Sequence, residues 1–402
     1  MAQHLSQKGS ATQNLIWIGV LGLLLVVVGC QPSTPAATPV PPTITPFPTT
    51  APVATNVPGV TPQPTPPTVD WLNVYFTDAS LINADRSNGF DQVVVQAINE
   101  AQSEIDIASF DFNLKSVVDA LIAAQKRGVK VRLVLDLKNG STTVRASASQ
   151  KIEAYDAIAA LDKAKIPYVD GGRSSGLMHN KIVILDRKTL FIGSWNLSFN
   201  DTFKNDNNVL RISDPLLIAN YQAKFNEMFL EKRFGRQAKV GALQPSMTVQ
   251  GTAIEMYFAP IDDVMSKVIA EVQKSRRSVR FMIFTFTYPE LTAAMIERFQ
   301  KGVTVEGVIE NRGASQGALP ELFCAKIPVK REAGGGTMHH KVLIIDNQTV
   351  ITGSFNFTKS ATTQNDENLI IIRNPRVVSL YLKEFQRIMS RSLEPTGIEC
   401  SQ

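Results

Sequence analysis

The sequence predicts an α/β fold laid down twice in tandem, and two observations carry that expectation. Strand-like and helix-like apolar patterns alternate along residues 71–396, which argues for helices packed as an α/β sandwich on a largely parallel or mixed sheet. A motif of the form H-x-K-x4-D-x6-G-S-x-N also occurs twice. It reads His179-Asn-Lys181, Asp186, Gly193-Ser194-Trp-Asn196, and again His339-His-Lys341, Asp346, Gly353-Ser354-Phe-Asn356. Every matched position is offset by 160 residues. Six fixed matches arise by chance on the order of once in 10^7 or more starts at average residue usage. A duplicated half-site is the natural reading.

The elements follow in the same order in both copies. In the first, Asn73–Phe76 has strand character, and Gln92–Gln102 is apolar at helical spacing. Ile105–Phe112 reads as a buried strand, Leu114–Arg127 as an amphipathic helix stopped at Gly128, and Val129–Leu135 as the next strand. The second repeats this with Glu255–Phe258, a helix around Val264–Val272 and a strand at Val279–Phe286. A helix over Leu291–Gln300 stops at Gly302, before the strand Val303–Ile309. Fifty residues separate Gly128 from His179, against 36 between Gly302 and His339. Copy one is therefore expected to carry an insertion around Ser141–Ala154, a loop or helix over the site.

The motif itself lies on strand-like Lys181–Leu185 and Lys341–Ile345, followed by second strands that end at Ile192 and Thr352. Such a hairpin brings the histidine, the lysine and the Ser/Asn end to one edge of the sheet. Strand alternation puts His179 and Lys181 on one face and turns His340 to the opposite one. Trp195 and Phe355 are expected in the core. The glycine runs Gly171-Gly172 and Gly334–Gly336 precede both motifs and suit either close substrate approach or plain turns.

The N-terminus has a different character. Lys8 is the only lysine or arginine ahead of a 14-residue apolar run, Leu15–Val28, which is short for a spanning helix of roughly 20 residues and fits a signal segment. Val27, Gly29 and Cys30 resemble a bacterial lipobox, which implies cleavage before Cys30 and a lipid on that cysteine. An uncleaved signal anchor is the alternative, and both place the body outside the cytoplasm. Residues 31–70 hold 13 of the 22 prolines and 10 threonines, a composition that buries no core and favours an extended stalk. The expected organisation is a signal peptide at 1–30, a linker at 31–70, a first domain at 71–240 and a second at 250–396.

The net charge of +5 and pI near 9.0 suit an anionic membrane, a nucleic-acid backbone or an ordinary solvated surface equally. Beyond Cys30 the only cysteines are Cys324 and Cys400, enough for one disulfide and without the spacing of a metal site.

The motif's residue types suit phosphoryl transfer. A neutral imidazole is a nucleophile or base near pH 7 and an imidazolium is an acid. Lys181 and Lys341 supply charge for an anionic substrate, and Ser194, Asn196, Ser354 and Asn356 supply neutral donors. Asp186 and Asp346 are expected to hold the imidazoles in one tautomer. Two half-sites together would face two histidines across one phosphate. The neighbouring lysines argue against a His/Asp metal site.

With those residues quoted, the pattern is identified as the signature of the phospholipase D superfamily in its two-motif form. The resemblance implies two tandem α-β-α sandwich domains forming a pseudo-two-fold dimer in one chain. It implies a phosphohistidine intermediate with no metal or cofactor, and no obligate protein partner, so a monomer is expected. Under it, His179 and His339 become the nucleophile and acid/base pair, His179 being favoured as nucleophile. Lys181, Lys341, Asn196 and Asn356 become phosphate ligands, with Ser194 and Ser354 close behind. The segment Gly353–Lys359 with Asn365-Asp-Glu367-Asn is similar to the small bacterial endonucleases of the superfamily, in which the downstream glutamate supports a histidine across the pseudo-dimer. Asn207 stands in the place of Glu367 in copy one, which implies unequal roles for the histidines.

The function expected is a membrane-tethered phosphodiesterase that hydrolyses phospholipid head groups to phosphatidic acid and an alcohol. A metal-independent endonuclease acting on DNA is the close rival. A cardiolipin synthase-like phosphatidyl transferase is disfavoured, since that resemblance implies two N-terminal spanning helices. A catalytically dead binding module is disfavoured by six intact motif positions in both copies.

Overall fold

The computed structural model describes residues 71–400. The expected signal segment, Cys30 and the proline-rich stalk lie outside the described residues.

The first half runs β1 (Leu72–Phe76), α1 (Asp91–Glu100), β2 (Glu104–Ser109), α2 (Lys115–Lys126) and β3 (Lys130–Leu135). A short ribbon of β4 (Thr143–Val144) and β5 (Tyr155–Asp156) leads to α3 (Ala157–Ala164) and β6 (Tyr168–Asp170). The motif hairpin is β7 (Ile182–Leu185) and β8 (Thr189–Gly193), followed by α4 (Phe199–Phe203), β9 (Asn208–Ile212) and α5 (Pro215–Leu230). The second half opens on β10 (Ser246–Val249) and β11 (Thr252–Ala259), then α6 (Val264–Lys274), β12 (Ser278–Ile283), α7 (Pro289–Gln300), β13 (Thr304–Ile309), α8 (Leu319–Cys324) and β14 (Val329–Arg331). Its hairpin is β15 (Lys341–Ile345) and β16 (Thr349–Gly353), and α9 (Lys359–Thr363), β17 (Glu367–Arg373) and α10 (Pro375–Arg391) complete it.

The strand orders are β1-β9-β8-β7-β2-β3-β6 and β10-β11-β17-β16-β15-β12-β13-β14. Position by position they are one topology, with β10 added at an edge. Only β2–β3–β6 and β12–β13–β14 run parallel, so both sheets are mixed. Short antiparallel hairpins explain this, since parallel pairing needs a crossover helix and only the α2 and α3 steps, with α7 and α8, provide one.

Each sheet is covered on both faces, and its strands are therefore apolar throughout. Along β7, Val183 and Leu185 face α1, α2 and α3 on the outside, while Ile182 and Ile184 face the middle of the molecule. In β15, Leu343 and Ile345 face out and Val342 and Ile344 face in. The inward faces of both sheets, with α5 and α10, merge into a single core that belongs to neither half. Tyr221 on α5 meets Phe258 on β11 at 5.1 Å, and Phe76 on β1 meets Tyr381 on α10 at 5.2 Å, both edge-on. Truncating one such buried aromatic costs about 3–5 kcal/mol, so the halves are held together by core-strength packing.

Helices α5 and α10 start at matching signals. Asp214 and Asn374 each accept two backbone N–H groups of the first turn, and Pro215 and Pro375 occupy the position where no N–H is needed.

The insertion expected around Ser141–Ala154 is the β4–β5 ribbon, extended by a bridge between Ser147 and Ile152. A second insertion accompanies it: residues 77–90 link β1 to α1, where residues 260–263 suffice in the other half. The two touch, the Arg86 guanidinium donating to Gln150 O at 2.7 Å. Cys324 and Cys400 form a disulfide with Cα atoms 5.4 Å apart, pinning the C-terminal segment to α8.

Closing a loop of 76 residues restrains the unfolded chain and stabilises by about 2–4 kcal/mol. Reducing this disulfide, or replacing Cys400→Ser, should lower the melting temperature of the otherwise intact protein by a few degrees in calorimetry, with activity retained below the transition.

Candidate active site

Both hairpins deliver their motif to the same edge. Ile182 pairs with Ile192, so Lys181 and His179 lie beside Ser194 and Asn196 just beyond the strand ends. The glycine before each serine is required there. Gly193 and Gly353 have φ of +149° and +145°, and a Cβ would sit 2.1 or 2.3 Å from the carbonyl oxygen of Asn208 or Asn368. Those carbonyls instead accept the Ser194 and Ser354 N–H groups at 3.0 Å.

The histidines are set from the opposite half. His179 N–H donates to Asp366 O at 3.0 Å, and His339 N–H donates to Asp206 O at 2.8 Å. Their imidazoles repeat the exchange. His179 Nδ1 lies 2.8 Å from Glu367 Oε2, and His339 Nδ1 lies 2.9 Å from Asn207 Oδ1. With Nδ1–H committed to these acceptors, each Nε2 carries the free lone pair. The ammonium of Lys181 donates to His179 O, and that of Lys341 to His339 O, both at 2.8 Å, leaving further N–H groups on each.

Ser194 and Ser354 are fully buried and do not serve as phosphate donors, a correction to the sequence reading. Ser354 Oγ donates to Glu367 Oε2 at 2.6 Å and Ser194 Oγ to Asn207 Oδ1 at 3.0 Å, so each serine fixes the residue that fixes a histidine. Asp186 and Asp346 are corrected more strongly. They lie at the far ends of β7 and β15, each opening a hairpin turn with two consecutive positive φ values, as type I′ geometry demands. Asp186 accepts the N–H groups of Gln102, Ser103 and Glu104, and Asp346 those of Arg276, Arg277 and Ser278. Burial raises the Asp186 carboxyl, but these bonds outweigh it and bring it to about 2. Both aspartates fasten β7–β8 and β15–β16 to the turn before β2 or β12; neither touches an imidazole.

The asparagines differ. Asn196 Nδ2 donates to Asp201 Oδ2 at 2.7 Å. The Asn356 amide makes no hydrogen bond among the described residues, its buried oxygen included, and is free to meet a ligand. His340 points into the shared core, 2.8 Å from Glu384 Oε1 and 3.2 Å from Asn208 Oδ1, as its strand position implied. Trp195 and Phe355 are core residues. Gly336 makes room for another chain segment, since a Cβ there would lie 1.5 Å from Lys204 O across the halves.

Three site residues went unnoticed in the sequence. Phe110 and Phe284 each present an edge to a histidine, with ring centroids 5.1 and 4.7 Å from His179 and His339, and a face to Lys181 or Lys341. They were recoverable, because Phe110-Asp-Phe112 and Phe284-Thr-Phe286 occupy matching places in the two repeats. The third is Asp111, whose carboxyl accepts from Ser141 N–H at 2.7 Å. Burial pushes it above the ordinary carboxylate value, helped by Asp201 and Asp136.

Electrostatically the site is short of negative charge. Burial lowers His179 below its ordinary 6.5; Lys181 and Lys341 push the same way, while Glu367 opposes. Burial carries His339 well below 6.5, with Lys341, Lys181, His179 and His340 adding to it. Lys181 falls to about 8, mainly by burial, and Lys341 falls well below 10.5 through burial and the charge of Lys181. An anion placed among these groups would favour the charged forms of Lys181 and Lys341, as binding a phosphodiester requires.

The fold and this duplicated site define a phosphoryl-transfer enzyme of known type: the chain belongs to the phospholipase D superfamily. The family model described as "Cardiolipin synthase, PLD-like domain" matches residues 94–229 and 268–389. Mitochondrial cardiolipin hydrolase of Xenopus tropicalis is 33% identical over 129 residues, covering 32% of this chain and 61% of that protein. Phospholipase D of Rickettsia prowazekii is 33% identical over 130 residues, 32% of this chain and 63% of that one. The match therefore spans about three fifths of the length of these relatives. Phosphatidylserine synthase of Haemophilus influenzae Rd KW20 shares the fold, with a TM-score of 0.61 at 13% identity over 83% of this chain and 91% of that chain. Its likeness covers both halves, confirming two tandem α-β-α layers in one chain.

With His179 as nucleophile and Lys181 as phosphate ligand, as proposed below, the ring must be neutral and the ammonium charged. Activity should therefore fall as pH drops through the depressed His179 value, below 6.5, and again as pH rises through about 8. Glu367→Gln removes the charge that favours the imidazolium. It should lower kcat by on the order of 10^2-fold or more and move the acidic limb of log kcat to lower pH. An acidic limb shifted upward would refute this pairing.

Proposed function

We propose that the chain is a phospholipase D-type phosphodiesterase that hydrolyses phospholipid head groups to phosphatidic acid and an alcohol. The observation that carries this reading is His179, held by Glu367 with its Nε2 lone pair free and near enough to His339 for their charges to interact. His179 Nε2 forms a bond to phosphorus as the bond from phosphorus to the leaving oxygen breaks, and the protonated His339 gives that oxygen its proton. Water then attacks phosphorus, gives a proton to His339, and the N–P bond breaks to return His179. Lys181, Lys341 and the free amide of Asn356 hold the non-bridging oxygens throughout. Both histidines come from one chain, so a monomer suffices.

The lipid substrate is favoured by the activities for which the relatives are named, a cardiolipin hydrolase and a phospholipase D. It is favoured also by the expected lipid on Cys30 and the stalk behind it, at up to roughly 3.1 Å per residue, which would keep the body within reach of a bilayer. The Cys324–Cys400 disulfide supports an oxidising, extracytoplasmic location. A nuclease remains the second reading, on the strength of the endonuclease-like segment around Glu367 and the net charge of +5.

Incubation with phosphatidylcholine, cardiolipin or plasmid DNA in excess EDTA separates these readings. Turnover should survive chelation, and an alcohol should intercept the phosphohistidine, so ethanol should yield phosphatidylethanol in proportion to its concentration. DNA nicking without phosphatidylethanol from any phospholipid would reverse the substrate assignment, and activity lost in EDTA but restored by a divalent ion would remove the mechanism. Cys30→Ser should abolish fatty-acid labelling in cells; labelling that persists would rule out the anchor.

A further inference from the structure

His339 faces a neutral amide where His179 faces a carboxylate, because Asn207 stands in the place of Glu367. Copy one makes a second departure nearby. It carries Asp201 on α4 where copy two carries Ala361 on α9. The two exchanges compensate: the half that loses a carboxylate from its β-strand gains one on the helix just before it. Asp201 Oδ2 lies 3.5 Å from His339 Nδ1, and Asp201 is buried.

We propose that Asp201 is the positioning carboxylate of His339, supplying from α4 the charge that Glu367 supplies to His179 from β17. The surrounding bonds fix this arrangement. Asn207 Oδ1 accepts from His339 Nδ1 and from Ser194 Oγ, while Asn207 Nδ2 donates to the Asp201 carbonyl at 3.0 Å. The amide thus sets the ring plane and the carboxylate beside it carries the charge. The Asp201 carboxylate is itself held by Asn196 N at 2.8 Å, Asn196 Nδ2 at 2.7 Å and Asn205 Nδ2 at 2.6 Å.

A negative charge is needed there because burial and the neighbouring basic groups all work against the imidazolium. Lys341, Lys181, His179 and His340 all disfavour the imidazolium, and burial does the same. Asp201 is the carboxylate that reaches an imidazole nitrogen of His339, at 3.5 Å. The arrangement also divides the labour. A carboxylate bonded directly to Nδ1 makes His179 the more basic and more nucleophilic ring. One standing off behind an amide leaves His339 a weaker base that gives up its proton readily, as a general acid must. The cost falls on Asn196, whose amide is spent on Asp201, so phosphate binding rests more on Asn356.

This rests on the reading of His339 as acid/base, and the deciding readout needs no substrate. Histidine side-chain NMR on the full chain reads each imidazole directly, and the body holds only His179, His339 and His340. Asp201→Asn should lower the pH at which His339 takes up its proton by about one unit or more, as expected for losing an opposite charge at this distance. The double variant Asp201→Asn/Asn207→Glu returns a carboxylate to the place Glu367 holds in the other half. It should restore the His339 titration and bring phosphodiesterase turnover back within about fivefold of the parent. If Asp201→Asn does not fold, Asn207→Glu alone should raise the His339 titration above that of the parent. An unmoved His339 signal, or one that Asn207→Glu fails to raise, would show that Asp201 only fastens Asn196 and Asn205. A wrong lipid assignment would leave the NMR result standing.

Discussion

Each motif histidine is held by a residue of the other half, and nearly every other feature of the fold serves that exchange. Glu367 reaches His179 and Asn207 reaches His339, both within hydrogen-bond distance. For this to happen the ends of β9 and β17 must lie against the approaches to β15 and β7. That requires two sheets of matching order placed back to back, with α5 and α10 filling the space between them. The common core is what keeps two carbonyls, of Asp206 and Asp366, in register with the two histidine N–H groups. A loss of packing at Tyr221 or Tyr381 would therefore be felt as a misplaced imidazole tens of residues away.

The charges tell a related story. Two lysines and two histidines are buried together, and desolvation works against protonating any of them. Glu367, Asp111 and Asp201 offset this only in part, so a bound anion would favour the protonated forms of the lysines. Farther out, Arg387 and Arg391 bind Asp206, and Arg173 binds Asp366, which anchors the backbone that sets each histidine. A bound anion would complete a charge network whose other members are already in place.

Most of the fold was legible because its signals are local and repeated. Apolar runs at helical or strand spacing, stopping glycines and a motif recurring at 160 residues located the main elements to within a few residues. Helices α5 and α10 were overlooked although Asp214-Pro215 and Asn374-Pro375 announce them. Of the motif residues, His179, His339, Lys181 and Lys341 stand together as read. Asp186, Asp346, Ser194 and Ser354 do not act as read, because chemistry was assigned to residue types whose tasks are structural: turn, fastening and support. What the sequence could not display was distance. Asn207 is marked by its 160-residue offset from Glu367, but nothing in the spacing ties Asp201 to His339, which it reaches only because the chain folds back across its own duplication.

Joining both halves in one polypeptide has a consequence for what the site can become. In a symmetric homodimer any substitution lands on both sides of the axis at once, so a change that suits a nucleophile is forced on the acid as well. Here each half mutates alone. Asn207 with Asp201 on one side, Glu367 with Ala361 on the other, and loops 77–90 and 141–154 grown on a single half are all departures a homodimer could not make. Fusion converts a two-fold rotor into a handed device, with one entrance built differently from the other, and a substrate with two unlike ends has a reason to enter it in only one direction.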